Sequence, residues 1–231
     1  MDSSKGGKDT LTGLWNQKIF LRKLREALPE LRDSKQEVSF IFGDIDRFDF
    51  INKEYGHQAG DEVLIYLADL AQSTLGKTAI ISRFGGDEFA AVLPKVGREE
   101  SLLRMDQMRR TIEAELHGWL SKKLGISVPK PISISIGIAA CPTDGRTEYE
   151  LLRKASEALY RAKEEGRNQI RLARAETMST KTTHYTHSQL ERLSKLSEEL
   201  GTSEAELLRE GMDDLLLKYE FNEFLDRSLM G

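Results

Sequence analysis

Residues Arg83 to Phe89 read Arg-Phe-Gly-Gly-Asp-Glu-Phe, two adjacent carboxylates on a glycine turn between the apolar runs Ala79 to Phe84 and Phe89 to Leu93. Such flanks around Gly85-Gly86 predict a hairpin whose glycines supply φ > 0 and whose tip presents Asp87 and Glu88. Taken alone, the turn is equally well explained as a solvated acidic tip, because turns favour these residues. Upstream, Val38-Ser39-Phe40-Ile41-Phe42-Gly43 reads as a buried strand that ends on Asp44-Ile45-Asp46. Carboxylates at a strand end face a cleft. Two such acid sites brought side by side can hold Mg²⁺, which takes oxygen ligands and keeps waters and substrate phosphates around it. Asp44 and Asp87 are the candidate ligands; the competing role for Asp44 and Asp46 is capping of the short helix that follows.

The elements that must position these acids follow from periodicity. Asp9 to Asn16 is turn-rich and leads into a helix carrying Ile19, Phe20, Leu24 and Leu28 at helical spacing, with Pro29 and Asp33-Ser34 marking its end region. After the strand at Val38 come a short helix around Phe48 to Glu54, a break at Tyr55-Gly56-His57, and a helix from Ala59 to Thr74 with an apolar face. An amphipathic helix is expected from Arg98 to about Leu120 and a loop over Lys122 to Lys130. Ile132 to Ile138 alternates apolar and small residues as a strand. Thr147 to Glu165 reads as a helix ended by Gly166 as a C′ glycine, and Gln169 to Leu172 as a last short strand. This β-α-α-β-β-α-β-α-β order mixes crossover and hairpin connections, which predicts a mixed central sheet with helices packed over it.

A chain of 231 residues, 39% of them hydrophobic, has room for one ordinary domain and a small appendage. No run approaches a membrane span and Met1 to Thr10 is no secretory signal, so cytoplasmic residence without a membrane partner is expected. The lone Cys141 can form neither an internal disulfide nor a thiolate metal site. Net charge is −4; Glu176 to Gly231 holds six Lys/Arg against twelve Asp/Glu, hence −6, leaving the other residues at +2. An acidic C-terminal piece disfavours non-specific nucleic-acid binding, which rests on cations. Composition shifts near Ala173. Beyond the linker, Lys181 to Tyr185 is a strand candidate, a helix from about Thr186 to Leu200 carries Leu190, Leu193 and Leu196, and a second helix carries Leu207, Leu208, Met212, Leu215 and Leu216. So small a unit does not bury those faces alone, and dimerisation is expected.

Five motifs together resemble the GGDEF family, the diguanylate cyclases, over residues 9 to 172. They are Asp9-x-Leu11-Thr12-Gly13-Leu14-x-Asn16, Asp44-Ile45-Asp46-x-Phe48, Asn52 with Gly56-His57-x-x-Gly60-Asp61, Gly85-Gly86-Asp87-Glu88-Phe89, and Ala158-Leu159-Tyr160-x-Ala162-Lys163 with Gly166-Arg167-Asn168. The resemblance implies an α/β (α+β) domain with a palm-like mixed sheet, related to nucleotidyl cyclases and polymerases, and condensation of two GTP into cyclic di-GMP with release of pyrophosphate. It implies that Asp44, the Ile45 carbonyl and Asp87 hold Mg²⁺, or Mn²⁺, with Glu88 as second acid. Two roles stay open for Glu88: aid to the metal, or deprotonation of the attacking 3′-hydroxyl. Paired carboxylates of this kind suit two-metal phosphoryl chemistry. Asn52 and Asp61 resemble guanine readers, since an Asp carboxylate can accept from N1–H and the exocyclic amine together; local capping is the rival role. The backbone amides of Arg47, Phe48 and Asp49 resemble the family's phosphate cradle. Lys163 and Arg167 would add the cationic side, their alternative being helix-dipole pairing.

The chain departs from the family in two places. Asp49 stands where the family usually has Lys, and Lys53 where it usually has Asp, a swap that keeps an i,i+4 contact but sets a carboxylate near the triphosphate, so low activity is expected. The family's product-inhibition Arg-x-x-Asp would fall on Gly76-Lys77-Thr78-Ala79, which lacks both charged residues. The C-terminal unit resembles a ribbon-helix-helix domain, in which strands of two chains pair and alternating side chains enter the DNA major groove. Here the outward set would be Thr180, Thr182 and His184, without Arg or Lys, which favours dimerisation over DNA binding. A dimeriser would raise the effective concentration of two cyclase domains that must meet. The expected organisation is a flexible 1–8, the cyclase domain at 9–173, a linker at 174–179, the ribbon-helix-helix-like unit at 180–219 and a tail at 220–231. The rival reading is a transcription factor whose degenerate GGDEF domain senses GTP or cyclic di-GMP.

Overall fold

The computed structural model describes residues 7–33, 37–174, 181–209, 211, 212 and 215. In chain order its elements are β1 (Trp15–Asn16), α1 (Gln17–Asp33), β2 (Val38–Ile45), α2 (Phe48–Tyr55), α3 (His57–Leu75), β3 (Ile80–Arg83), β4 (Glu88–Pro94), α4 (Arg98–Leu124), β5 (Ile134–Cys141), α5 (Glu148–Glu164), β6 (Ile170–Leu172) and α6 (His187–Leu200). They form two compact units, Met1–Glu176 and Thr177–Gly231.

The first unit is built around β2 and β5, in each of which every residue is buried. Strands covered on both faces read as near-continuous apolar runs, and these two do. They lie at the centre of a six-stranded mixed sheet of order β1-β3-β4-β2-β5-β6. β2 runs antiparallel to β4 and β5, whereas β6 lies parallel to β5. Side chains of β2 alternate between two cores, as the two-residue period of a strand requires. Ile41 and Ile45 join Leu64, Leu67, Met105 and Ile112 of α3 and α4 on one face. Phe40 and Phe42 join Phe20, Leu24, Leu151 and Leu159 of α1 and α5 on the other. The expected mixed sheet with flanking helices is the fold observed.

Two local devices fix α5 against the sheet. A Cβ on Gly137 would stand 2.0 Å from the Ala155 carbonyl oxygen, so the bare glycine lets the helix lie directly on β5. At the other end of the approach, Thr147 accepts from the Glu150 amide and the Glu150 side chain accepts from the Thr147 amide, a complete capping box.

The structure also corrects several boundaries. The two-residue β1 pairs with β3 and is too short to show a period. α1 ends at Asp33, within the expected end region, with Pro29 inside the helix. α3 begins at His57, so the break contracts to Gly56 at φ 83°. α4 runs to Leu124 because Gly125, at φ 66°, supplies the left-handed cap one turn later than expected. β5 begins at Ile134 instead of Ile132. Neither Gly85 nor Gly86 has a positive φ. A Cβ on Gly85 would lie 2.6 Å from Glu88 Oε2, so a larger residue there would move the Glu88 side chain.

In the second unit α6 opens with a capping box from Thr186 and Gln189 and ends on Gly201 at φ 63°. Helical backbone resumes at 204–209. Residues 181–186 form no strand; a ribbon strand obtains its ladder bonds only from a second strand, and the single chain offers none. No residue of α6 is buried, and Leu190, Leu196 and Leu200 are 43%, 43% and 60% exposed. Thr180 lies outside the described residues; Thr182 and His184 are exposed.

Candidate active site

The end of β2 delivers Asp44 into the space between β4 and β5, opposite Glu88 on one side and Ser135 on the other. The Ile45 amide donates to the Asp87 carbonyl at 3.3 Å, tying the hairpin tip to the strand end. Asp44, Ile45, Arg47, Phe48, Asp49, Asp87, Lys163 and Arg167 then line one cavity of about 170 Å³. Eight separately expected residues are thus brought together. Glu88 stands beside the same acids without lining the cavity.

Electrostatics in the cavity are unusual. Burial pushes the Asp44 carboxyl up to about 6; Lys163 opposes that shift, while the neighbouring Asp87 and Asp46 carboxylates add to it. Glu88 is raised for the same reasons, burial first and then Asp44 and Asp87. Lys163 Nζ lies 2.7 Å from Asp44 Oδ2. Like charges crowded in a poorly solvated space call for a cation, and the donors are all oxygens, the set that suits a hard divalent ion. Among the described residues no three His, Cys, Asp or Glu side chains form a closed metal cage. A site that shares its ion with waters and substrate phosphates needs none.

Asp46 does something the sequence did not indicate. It caps no helix: the residue at the start of α2 is Arg47, in the left-handed conformation at φ 59°, ψ 38°, without a side-chain cap. The Asp46 carboxylate instead accepts from the hydroxyls of Ser133 and Ser135 at 2.6 and 2.7 Å and from the Asn168 amide at 2.9 Å. Asn168 also donates to Glu113 at 2.7 Å and accepts from Arg109 at 2.9 Å. Arg167 and Asn168 both have positive φ, 66° and 49°, a conformation that non-glycine residues hold only when their surroundings fix it. The Arg167 amide donates to the Ala162 carbonyl at 2.9 Å, closing the end of α5. The network therefore sets the loop that carries Arg167 into the cavity. The alternation of serines with isoleucines in β5 was the available signal.

Other expected residues lie apart from the cavity. Asn52 packs where a Cβ on Gly60 would fall 2.0 Å from its Oδ1, so Gly60 opens the space between α2 and α3. Asp61 is exposed one turn into α3. Gly86 is the exposed tip of the hairpin, its carbonyl held by Arg83 at 2.8 and 3.0 Å, and Arg83 pairs with Asp9 at 3.3 Å. Asp49 and Lys53 were expected to touch; among the described residues no ion pair within 4 Å joins them.

Known proteins resemble this chain in sequence and in the fold of its first unit. The family described as "Diguanylate cyclase, GGDEF domain" matches residues 7–169, and "Ribbon-helix-helix domain" matches residues 181–220. Diguanylate cyclase TpbB of Pseudomonas aeruginosa is 35% identical over 166 residues, which are 71% of this chain and 37% of TpbB. Diguanylate cyclase DosC of Escherichia coli is 31% identical over 170 residues, 73% of this chain and 35% of DosC. The chain thus spans little more than a third of these relatives. Among solved structures, the GGDEF domain of DgcB from Caulobacter crescentus in complex with c-di-GMP has a TM-score of 0.68 at 27% identity, covering 76% of this chain and 97% of that one. The GGDEF domain of TpbB has a TM-score of 0.66 at 34% identity, covering 72% and 94%.

Proposed function

Because the chain belongs to the diguanylate cyclase GGDEF-domain family through residues 7–169, we propose that it condenses two GTP into cyclic di-GMP and releases two pyrophosphates. The observation that carries this reading is the single cavity that joins Asp44 and Asp87 to Lys163, Arg167 and the start of α2. Asp44, the Ile45 carbonyl and Asp87 would hold Mg²⁺, or Mn²⁺. When bound, the ion polarises phosphoryl oxygens and offsets charge on the leaving group. The amides of Arg47, Phe48 and Asp49 at the opening of α2 receive the β- and γ-phosphates, with Lys163 and Arg167 as cations. Asn52 and Asp61 read guanine.

The 3′-oxygen of one GTP bonds to the α-phosphorus of the other as the bond to pyrophosphate breaks, and the hydroxyl proton passes to a base. Glu88 fits that role because its raised pKa makes it a better proton acceptor than an ordinary carboxylate. The reciprocal step closes the ring. Each GTP sits on its own domain, so two domains must meet. Residues 181–220 would hold them together through the apolar residues that one chain leaves exposed. Gly76-Lys77-Thr78-Ala79 lacks the charges of the product-inhibition motif, so feedback through that site is absent. Among the described residues no helix is long and apolar enough to cross a membrane, and we place the reaction in the cytoplasm.

Asp49 favours a second reading, a DNA-binding protein whose GGDEF domain senses a guanine nucleotide, because it lines the phosphate cavity with the wrong charge. Its DNA-facing set would be Thr180, Thr182 and His184. Turnover of GTP with Mg²⁺ by the intact chain, by Asp87→Ala and by a truncation ending at Ala175 separates the two. Cyclic di-GMP made by the intact chain and lost in both variants supports the dimeric cyclase. No product from intact protein that still binds a guanine nucleotide supports the sensor.

A further inference from the structure

Beside α2 lies a second cavity of about 280 Å³, between that helix, the 128–133 segment and the 166–168 loop. We propose that it binds a mononucleotide, a ligand with one planar aromatic base and a phosphate, and that its occupant competes with the triphosphate in the catalytic cavity. The competitive part of the proposal rests on the function proposed above.

Charge argues for the phosphate. Arg47, Lys130 and Arg167 line the cavity, and among the described residues none of them makes an ion pair within 4 Å. Elsewhere on this unit Arg98, Arg109, Arg110 and Arg171 are all paired. The one acid in the wall, Asp46, already accepts three hydrogen bonds from Ser133, Ser135 and Asn168. Three cations without carboxylate partners around one cavity make an anion site, and guanidinium groups match phosphate with paired donors.

The aromatic half of the ligand follows from the other walls. Phe50 is 48% exposed, unusual for a large apolar side chain, and meets Tyr55 edge to face at 6.5 Å. Both line the cavity, and its floor is the buried pair Val128 and Ile132. An open aromatic face beside cations is the combination that holds a nucleobase and its phosphate. The volume sits at the low end for small-molecule pockets, which begin at about 300 Å³, so one nucleotide fits and a dinucleotide does not. Competition follows from geometry: Arg47 and Arg167 line this cavity and the catalytic one alike.

The test titrates 5′-GMP, and separately pyrophosphate, into the full chain by calorimetry without divalent ions. The background is Asn52→Ala with Asp61→Ala, which silences the guanine readers of the catalytic site. Lys130 and Phe50 are exposed, so Lys130→Glu and Phe50→Ala leave the fold intact. Lys130→Glu should weaken both probes about tenfold through its reversed charge, and Phe50→Ala should weaken GMP alone, roughly tenfold, through lost stacking. In the otherwise native chain both variants should keep GTP turnover and lose inhibition by GMP. No GMP binding in the silenced background, or binding indifferent to both substitutions, overturns the site. GMP bound as described by a chain that does not turn over GTP leaves the site standing and removes the cyclase reading instead.

Discussion

Lys163 Nζ lies 2.7 Å from Asp44 Oδ2, and the two residues reach each other from α5 and β2 only because Gly137 admits the helix against the sheet. Among the described residues Lys163 is the cation in contact with Asp44, a carboxyl that burial and two neighbouring acids make harder to ionise. In the proposed cyclase it has two jobs, keeping Asp44 ionised and meeting the triphosphate.

Lys163→Met should separate those jobs. Loss of a preorganised cation facing transferred phosphates typically costs on the order of 100-fold in kcat. The same change strips Asp44 of its partner, so the variant should be destabilised above pH 6, where Asp44 must ionise unaided, and near native stability in acid. Denaturant unfolding at both pH values checks this; equal losses at both would mean that the pair does not govern Asp44.

The raised Asp44 pKa, about 6 against an ordinary 3.8, fixes a sign for the whole site. A folded-state pKa above the unfolded value contributes stability that is full below the unfolded pKa and is lost as pH rises through the folded one. Without divalent ions the thermal midpoint should fall between about pH 4 and pH 6, and more in the native chain than in Asp44→Asn. Added Mg²⁺ should restore it chiefly above pH 6, since the ion competes with the proton. A Mg²⁺ shift equally large at pH 4.5 would exclude Asp44 as a ligand.

How far the sequence shows this site depends on which force sets each part. β2 and β5 are legible because burial on both faces demands unbroken apolar runs, and the hairpin is legible because its acids follow paired glycines. Asp46 is not, because its partners Ser133, Ser135 and Asn168 are distant in the chain and meet it only through sheet register. Gly85 shows the opposite failure. Its presence is legible, but the positive φ expected of it is not found, and what it touches is the end of the Glu88 side chain. The ribbon strand expected at Lys181 to Tyr185 has a pattern in sequence and no ladder in one chain, which offers it no second strand.

Gly60→Ala tests the guanine side of the site. The added methyl would meet Asn52 Oδ1 at 2.0 Å and Phe48 Cζ at 3.1 Å. Asn52 Oδ1 is the end of a flexible side chain, so Asn52 turns away and the fold survives, with an overpacking cost of about 1–3 kcal/mol as the upper range. Guanine affinity should suffer more than stability: KM for GTP rises at least as far as in Asn52→Ala, with kcat changed less. Unchanged KM would show that Asn52 does not read the base.

Exchanging Asp49 and Lys53 tests how charge in the cavity bears on the proposed activity. Asp49 lines the cavity with Asp44 and Asp87, while Lys53 does not line it and forms no ion pair with Asp49 among the described residues. Among the described residues no ion pair therefore neutralises the Asp49 carboxylate, and a triphosphate entering the cavity would meet it along with Arg47, Lys163 and Arg167. Exchanging the pair, Asp49→Lys with Lys53→Asp, alters local charge by two units beside the phosphates. At a few ångströms and surface-like screening that is worth on the order of 1–2 kcal/mol, so KM for GTP should fall roughly tenfold or more. The gain must be electrostatic, so it should shrink as ionic strength approaches 1 M, where the screening length is about 3 Å. A lower KM that persists undiminished in high salt would assign the effect to repacking of α2, and an unchanged KM would place the triphosphate away from Asp49.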